Sequence, residues 1–322
     1  MSFETILPFL QPIAHLITDA TISEVMVNGD QSVFIQRNGR IEPVAATVEQ
    51  KYLINAVKRI ARSLGEDISE AKPLLDARLP DGSRVAAAFP PCSLYGVTLT
   101  IRKFRPNWFT LEELVTAGAL PAAVADQLAA AVRDRQTILV SGGTDTGKTT
   151  FTKALLDHIP QSERLAIIED TMELRVDYPN AIRFEARRTQ TDADGNITVP
   201  AVSIRDLVKA TLRHRPDRLI IGEVRGAEAF DLLDALNTGH AGSISTIHAN
   251  SATMALSRLA SLALRAGVDI PYVALQQDIG ELIDIVVHIE RREGKRFVSE
   301  VLRIEGFDQS QSLFKTKTCP QD

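Results

Sequence analysis

The sequence predicts an α/β fold: a mostly parallel sheet in the C-terminal part of the chain, preceded by a smaller N-terminal α/β domain. Three observations carry the prediction. Beyond residue 135, five short apolar runs (137–141, 164–169, 218–222, 243–247 and 284–289) alternate with stretches of helical spacing, as strands joined by crossover helices do. The first of these runs leads directly into Ser141-Gly142-Gly143-Thr144-Asp145-Thr146-Gly147-Lys148-Thr149-Thr150, which contains the pattern G-x-x-x-x-G-K-[ST]. The first ~105 residues instead carry hairpin and turn signals, and end at the proline-interrupted, aromatic segment Phe104-Arg105-Pro106-Asn107-Trp108.

In the N-terminal domain, placed at 1–105, residues 9–17 have helical spacing with Pro12 in the first turn, where its missing N–H is harmless. Residues 24–29 read as a strand entering a turn, and 32–37, alternating around Val33 and Ile35, complete a hairpin. Leu53, Ile54, Val57 and Ile60 give 49–64 the period of a helix. Leu79-Pro80-Asp81-Gly82 is a turn between further segments, and 84–88 and 95–103 read as strands. A linker at 106–118 begins a helical connector over 111–118 and 122–133, the second domain occupies 119–306, and 307–322 is a polar tail.

The glycine-rich loop, between an apolar strand and a helix over 149–158, is expected to bind a nucleotide. Its backbone N–H groups and the positive end of the helix cradle phosphates. Gly142, Gly143, Thr144, Asp145, Thr146, Gly147, Lys148, Thr149 and Thr150 are the expected binding set. Lys148 is expected to reach the β- and γ-phosphates of ATP, and Thr149 to place its hydroxyl on Mg²⁺. Asp145 stands where such loops usually carry a small residue. The position often needs φ > 0, which Asp tolerates better than most residues. Two readings follow: a side chain turned to solvent with little effect, or a charge that weakens nucleotide retention.

Two apolar strands end in acids. Residues 165–168 run into Glu169-Asp170, with Glu173 close behind, and 219–222 run into Glu223. A nucleotide hydrolase of this type needs a carboxylate near Mg²⁺ and a group that orients or deprotonates water. Glu223 is the expected base. Glu169 and Asp170 are the expected metal-shell acids, partly through water, and Glu173 is a weaker candidate. His240 and His248 flank the strand predicted at 243–247, and both are candidates for contact with the γ-phosphate or a neighbouring loop. No cysteine or further histidine completes a metal set beside them.

Composition excludes other classes. A net charge of −5 argues against direct nucleic-acid binding by the chain as a whole. Arginines cluster locally, at Arg183, Arg187 and Arg188 and again at Arg205, Arg213, Arg215 and Arg218, which points to phosphate or subunit contacts. Two cysteines, Cys92 and Cys319, fit neither a disulfide framework nor a zinc site, and agree with a reducing cytoplasm. No stretch reaches the ~18–20 apolar residues of a spanning helix. The start Met1-Ser2-Phe3-Glu4 lacks the basic opening of a secretory signal, so any membrane contact is expected to be peripheral.

Together the loop, the acidic box Ile168-Glu169-Asp170-Thr171-Met172-Glu173-Leu174, the strand end Ile221-Gly222-Glu223-Val224-Arg225-Gly226 and the histidine segment 238–250 resemble the secretion and traffic ATPases of bacterial type II and type IV systems. Leu212-Arg213-His214-Arg215-Pro216-Asp217-Arg218, Val27-Asn28-Gly29, Leu79-Pro80-Asp81-Gly82-Ser83-Arg84 and Ile101-Arg102-Lys103 look most like the conjugal-transfer branch. The resemblance covers about 21–306. It implies a RecA-like P-loop ATPase domain over 119–306, Mg²⁺-dependent ATP hydrolysis, and homo-hexameric rings. Such rings would work with secretion or conjugation machinery at the cytoplasmic face of the inner membrane. It also implies nucleotide between the two domains, with Arg102 completing the site, Arg84 second to it, and Arg225 and Arg215 as lesser candidates. Two alternatives stay open: a nucleotide-gated scaffold whose turnover Asp145 weakens, and a pilus-retraction type of motor. A DNA motor would call for a basic–aromatic stripe, and the sequence has none.

Overall fold

The computed structural model describes residues 7–37, 39–79, 81–103, 109–174, 176–187, 189–191 and 196–319. Arg188 and the segment 104–108 expected to separate the domains lie outside the described residues. The chain divides into two units, Met1–Asn107 and Trp108–Asp322.

The first unit contains α1 (Gln11–Thr18), β1 (Ile22–Val27), β2 (Ser32–Arg37), β3 (Arg40–Thr47), α2 (Gln50–Ser63), β4 (Leu74–Arg78), β5 (Arg84–Ala88) and β6 (Thr98–Arg102). Its strands form one antiparallel sheet in the order β3-β2-β1-β6-β5-β4. Alternate residues Val25, Val27, Val33, Ile35, Leu99 and Ile101 point into the core, as a period of two requires. They meet Leu53, Ala56, Val57 and Ile60 of α2, spaced for one helical face. β3 and β4 were not expected from the sequence. Both are edge strands, and β3 carries Pro43, which an edge tolerates.

The second unit begins with α3 (Leu111–Thr116) and α4 (Ala122–Arg133), followed by β7 (Ile138–Gly142), α5 (Lys148–Leu156), β8 (Leu165–Glu169) and β9 (Ala181–Glu185). The pair β10 (Gln190–Thr191) and β11 (Ile197–Val199) precedes α6 (Ile204–Thr211), β12 (Arg218–Val224), α7 (Glu228–Asn237) and β13 (Ile244–His248). The chain then forms α8 (Ala252–Ala263), α9 (Tyr272–Leu282), β14 (Ile285–Arg292), β15 (Lys295–Asp308) and β16 (Leu313–Thr318). The main sheet runs β16-β15-β14-β7-β13-β12-β8-β9. From β14 to β9 all pairs are parallel; β15 and β16 add an antiparallel edge.

Both faces of this sheet are covered. Leu139, Ile168, Ile221, Ile247 and Val286 pack with α6, α7, α8 and α9. Their chain neighbours Ile138, Val140, Ile167, Ile220, Ile285 and Val287 pack with α3, α4 and α5 on the other face. Burial on both sides is why these strands read as unbroken apolar runs.

Two boundaries differ from expectation. Leu111 of α3 is buried in the second unit's core, so the helical part of the expected linker belongs to that unit. The expected polar tail contains β16, paired along β15. Its polarity is that of a sheet edge, where exposed lysines such as Lys315 and Lys317 discourage further strand addition.

Arg218 also departs from expectation. It opens β12 fully buried, with Nε and Nη2 donating to the Glu163 carboxylate at 2.7 and 2.6 Å, and Nη1 donating to the Val132 carbonyl at 2.6 Å. It is an internal fastener and not a phosphate or subunit contact. Arg205, from the same sequence cluster, pairs with Asp231 at 2.8 Å. Removing one partner of a buried pair strands the other charge. Arg218→Ala is expected to lower the unfolding free energy by about 3–5 kcal/mol in urea melts, whereas Arg213→Ala, at an exposed position, should change it by no more than about 0.5 kcal/mol.

Candidate functional site

Parallel pairing sets the ends of β7, β13, β12 and β8 side by side. Gly142, the last residue of β7, lies opposite His248, the last of β13. The register of β12 on β13 slips between Ile221 and Val224, so Gly222 and Glu223 form a bulge. A bulge bends a strand and re-aims its side chains, and here it turns Glu223 towards the P-loop. Gly222 is needed in this bulge, because a Cβ there would stand 2.8 Å from Cγ of Glu169. Thr246 of β13 closes the bulge by donating to the Gly222 carbonyl at 2.6 Å.

Four side chains then form a chain of contacts. Lys148 is buried, its Nζ donating to the carbonyls of Gly143 at 2.7 Å and Gly142 at 3.2 Å. The same Nζ lies 3.4 Å from Nδ1 of His248, whose Nε2 lies 3.2 Å from Oε1 of Glu223. An ammonium offers only protons, so Nδ1 faces it as an acceptor and the ring hydrogen sits on Nε2, aimed at Glu223. Arg225 completes the chain with a two-pronged grip on Glu223, Nε at 2.6 Å and Nη2 at 2.8 Å. Its Nη1 is 3.6 Å from Asp170.

The electrostatics follow from burial and these neighbours. Burial pushes Lys148 below its usual range, and the nearby Arg225 adds to this against the pull of Glu223. Burial and the Lys148 charge likewise lower His248, leaving it neutral near pH 7. For Glu223, burial favours the neutral acid. The hydrogen bond and charge of Arg225, with His248 and Lys148, outweigh it and hold the carboxyl below its ordinary value.

The acidic box is arranged differently from expectation. Glu169, expected at the metal, is 4% exposed and accepts hydrogen bonds from the backbone N–H groups of Glu173 and Leu174. It shapes the segment that follows. Glu173, the weaker candidate, is the acid that reaches the loop: its Oε2 is 3.5 Å from Oγ1 of Thr149. Mg²⁺ takes one or two carboxylates and completes its shell with water and phosphate oxygens. Thr149 and Glu173, with Asp170 nearby in sequence, are donors of that kind.

His240 lies apart. It precedes β13 at the strand's amino end, after α7, and Nδ1 donates to the Ala235 carbonyl at 2.9 Å. β13 spans roughly 16 Å at about 3.3 Å per residue, which keeps His240 away from the carboxyl-end cluster of its own chain. The two histidines bracket one strand and therefore occupy opposite ends of the sheet. Arg84 and Arg102 belong to the first unit, where they are cross-strand partners on β5 and β6. Arg215, after α6, is exposed with φ +54°.

Asp145 takes the positive φ expected of its position, +58°. Its side chain is not simply turned to solvent. Oδ2 accepts from Nη1 of Arg291 at 2.6 Å and Oδ1 from Nη2 of Arg296 at 2.8 Å. Neither arginine falls in a sequence motif, and they lie 146 and 151 positions along the chain. His288 likewise stands outside every motif, buried on β14 with Nδ1 2.8 Å from Oγ of Ser141, directly before the P-loop. A histidine inside an apolar strand was the only signal available.

A parallel sheet with helices on both faces, a phosphate-binding loop after one strand, and an acid and a histidine at the neighbouring strand ends define a RecA-like P-loop NTPase. The chain belongs to the type II/IV secretion system protein family, whose model matches residues 9–320. Conjugal transfer protein TrbB of Rhizobium radiobacter is 35% identical over 292 residues, covering 90% of this chain and 85% of that protein. Type IV secretion system protein VirB11 of Brucella suis biovar 1 is 33% identical over 322 residues, covering 91% and 88%. Among solved structures, the Legionella pneumophila ATPase DotB matches with a TM-score of 0.64 at 19% identity, covering 94% of this chain and 82% of that one, a likeness of fold. The sequence resemblance to secretion ATPases, with its conjugal-transfer leaning, is thereby borne out. Among the described residues no helix is long and apolar enough to cross a membrane.

Burial lowers the pKa of His288 in the folded chain. Between that value and the unfolded one near 6.5, the unfolded chain binds the extra proton, so stability is full above pH 6.5 and lost as pH falls below it. His288→Gln is expected to flatten the fall in melting temperature between pH 6.5 and 5, as followed by circular dichroism.

Proposed function

We propose that this chain hydrolyses ATP to ADP and phosphate with Mg²⁺, as a traffic ATPase serving type IV secretion or conjugal transfer. The observation that carries the reading is the contact chain from Lys148 through His248 to Glu223 beside the phosphate-binding loop. It supports the reading because Lys148, proposed to hold phosphate, and Glu223, proposed to activate water, share one hydrogen-bonding path.

In this reading Lys148 and the loop N–H groups hold the β- and γ-phosphates. Thr149 and Glu173 would hold Mg²⁺, with Asp170 in its outer shell, and Glu169 keeps Glu173 in position. Mg²⁺ supplies charge neutralisation for the phosphates. Glu223 takes the proton of the attacking water. Gripped by Arg225, it is a weak base; transfer of that guanidinium to the γ-phosphate would raise its basicity and neutralise transition-state charge together. His240 acts across a subunit boundary. The active form is a homo-hexamer, bound peripherally at the cytoplasmic face of the inner membrane beside secretion or conjugation proteins.

Steady-state phosphate release from Mg²⁺-ATP tests this. The native chain should clearly exceed Lys148→Ala. Glu223→Gln should lose about 10²-fold or more in kcat while still binding ATP. A native rate equal to that of Lys148→Ala would defeat the assignment. A rate untouched by Glu223→Gln would move the base elsewhere.

A further inference from the structure

The tip of the phosphate-binding loop carries a second charged group, separate from the strand-end cluster. We infer that Arg291 and Arg296 are positioning residues for nucleotide binding: they cancel the charge of Asp145 and hold the loop, so that an acid in that loop does not weaken affinity. The inference rests on the nucleotide-binding reading above.

Each oxygen of the Asp145 carboxylate is taken by a different arginine, Oδ2 by Arg291 at 2.6 Å and Oδ1 by Arg296 at 2.8 Å. Arg296 also donates from Nε to the main-chain carbonyl of Asp145 at 2.9 Å. One side chain thus fixes both the carboxylate and the backbone of a residue held at φ +58°, a conformation that costs a non-glycine residue free energy. The stem of Arg296 continues over the loop, its Cδ 3.2 Å from where a Cβ on Gly147 would stand. It therefore spans from the loop tip to the residue before Lys148.

The hairpin needs the acid as much as the loop needs the hairpin. Arg291 and Arg296 are direct cross-strand partners on β14 and β15. They are joined through a turn in which Glu293 and Gly294 have φ +50° and +82°, as a two-residue type I′ turn demands. Like charges facing each other across a pair of strands repel, and Asp145 between them relieves the repulsion. Taken alone, Asp145 would set one negative charge beside the phosphates. With both arginines the three side chains together carry a positive charge. The three side chains are 25–42% exposed, and ion pairs that wet contribute little to fold stability. Their consequence falls on the ligand.

The test is a double-mutant cycle read by equilibrium binding of Mg²⁺-ATP, with melting temperatures measured alongside. The chains are the native one, Arg291→Gln/Arg296→Gln, Asp145→Gly and the three substitutions combined, with Lys148→Ala as the blank. Loss of both arginines is expected to raise Kd at least tenfold when Asp145 is present and less than threefold when it has been replaced. Arg291→Lys/Arg296→Lys, which keeps both charges, should stay within threefold of the native chain. A Kd unmoved by the double glutamine substitution overturns the inference. So does an equal loss in both backgrounds, since the arginines would then touch nucleotide themselves or merely support the fold. If the native chain binds no better than Lys148→Ala, the nucleotide reading fails and this inference with it; the other negative outcomes leave that reading standing.

Discussion

Parallel pairing of β7, β13, β12 and β8 brings four carboxyl ends to one edge, and the candidate site exists because of it. Each strand contributes a different chemical element there: a phosphate-binding turn, a histidine, a carboxylate, and an acid that organises the next loop. The arrangement holds because every second residue of each strand is buried on one face and its neighbours on the other. A slip of one residue would exchange the two faces and misplace all four ends.

Within that frame the charges alternate. Lys148, neutral His248, Glu223, Arg225 and Asp170 follow one another, so no buried ion lacks a partner of opposite sign or a hydrogen bond. Burial works against the charged forms of Lys148, Glu223 and Arg225.

The sequence makes legible what is local or periodic. The phosphate-binding loop, the alternation of strands and helices, and Glu223 and His248 at strand ends follow from spacing alone. What escapes has a physical reason in each case. β3, β4 and β16 are edge strands whose exposed faces erase the apolar pattern. Glu173, and not the buried Glu169, reaches Thr149 because burial, which sequence order does not reveal, decides which acid faces the loop. His240 and His248, close in sequence, part in space because the length of β13 lies between them. Arg291 and Arg296 escape because only the fold brings β14 and β15 beside the loop.

β12 is fastened unequally along its length. At its first residue Arg218 is locked by a partly buried carboxylate and two carbonyls, with Arg135 adding a second cation on Glu163. At its other end the ladder is interrupted by the bulge around Gly222. Such a strand behaves as a cantilever, clamped at the root and compliant near the tip. Between that clamp and the bulge, residues 218–221 keep an unbroken register on β8.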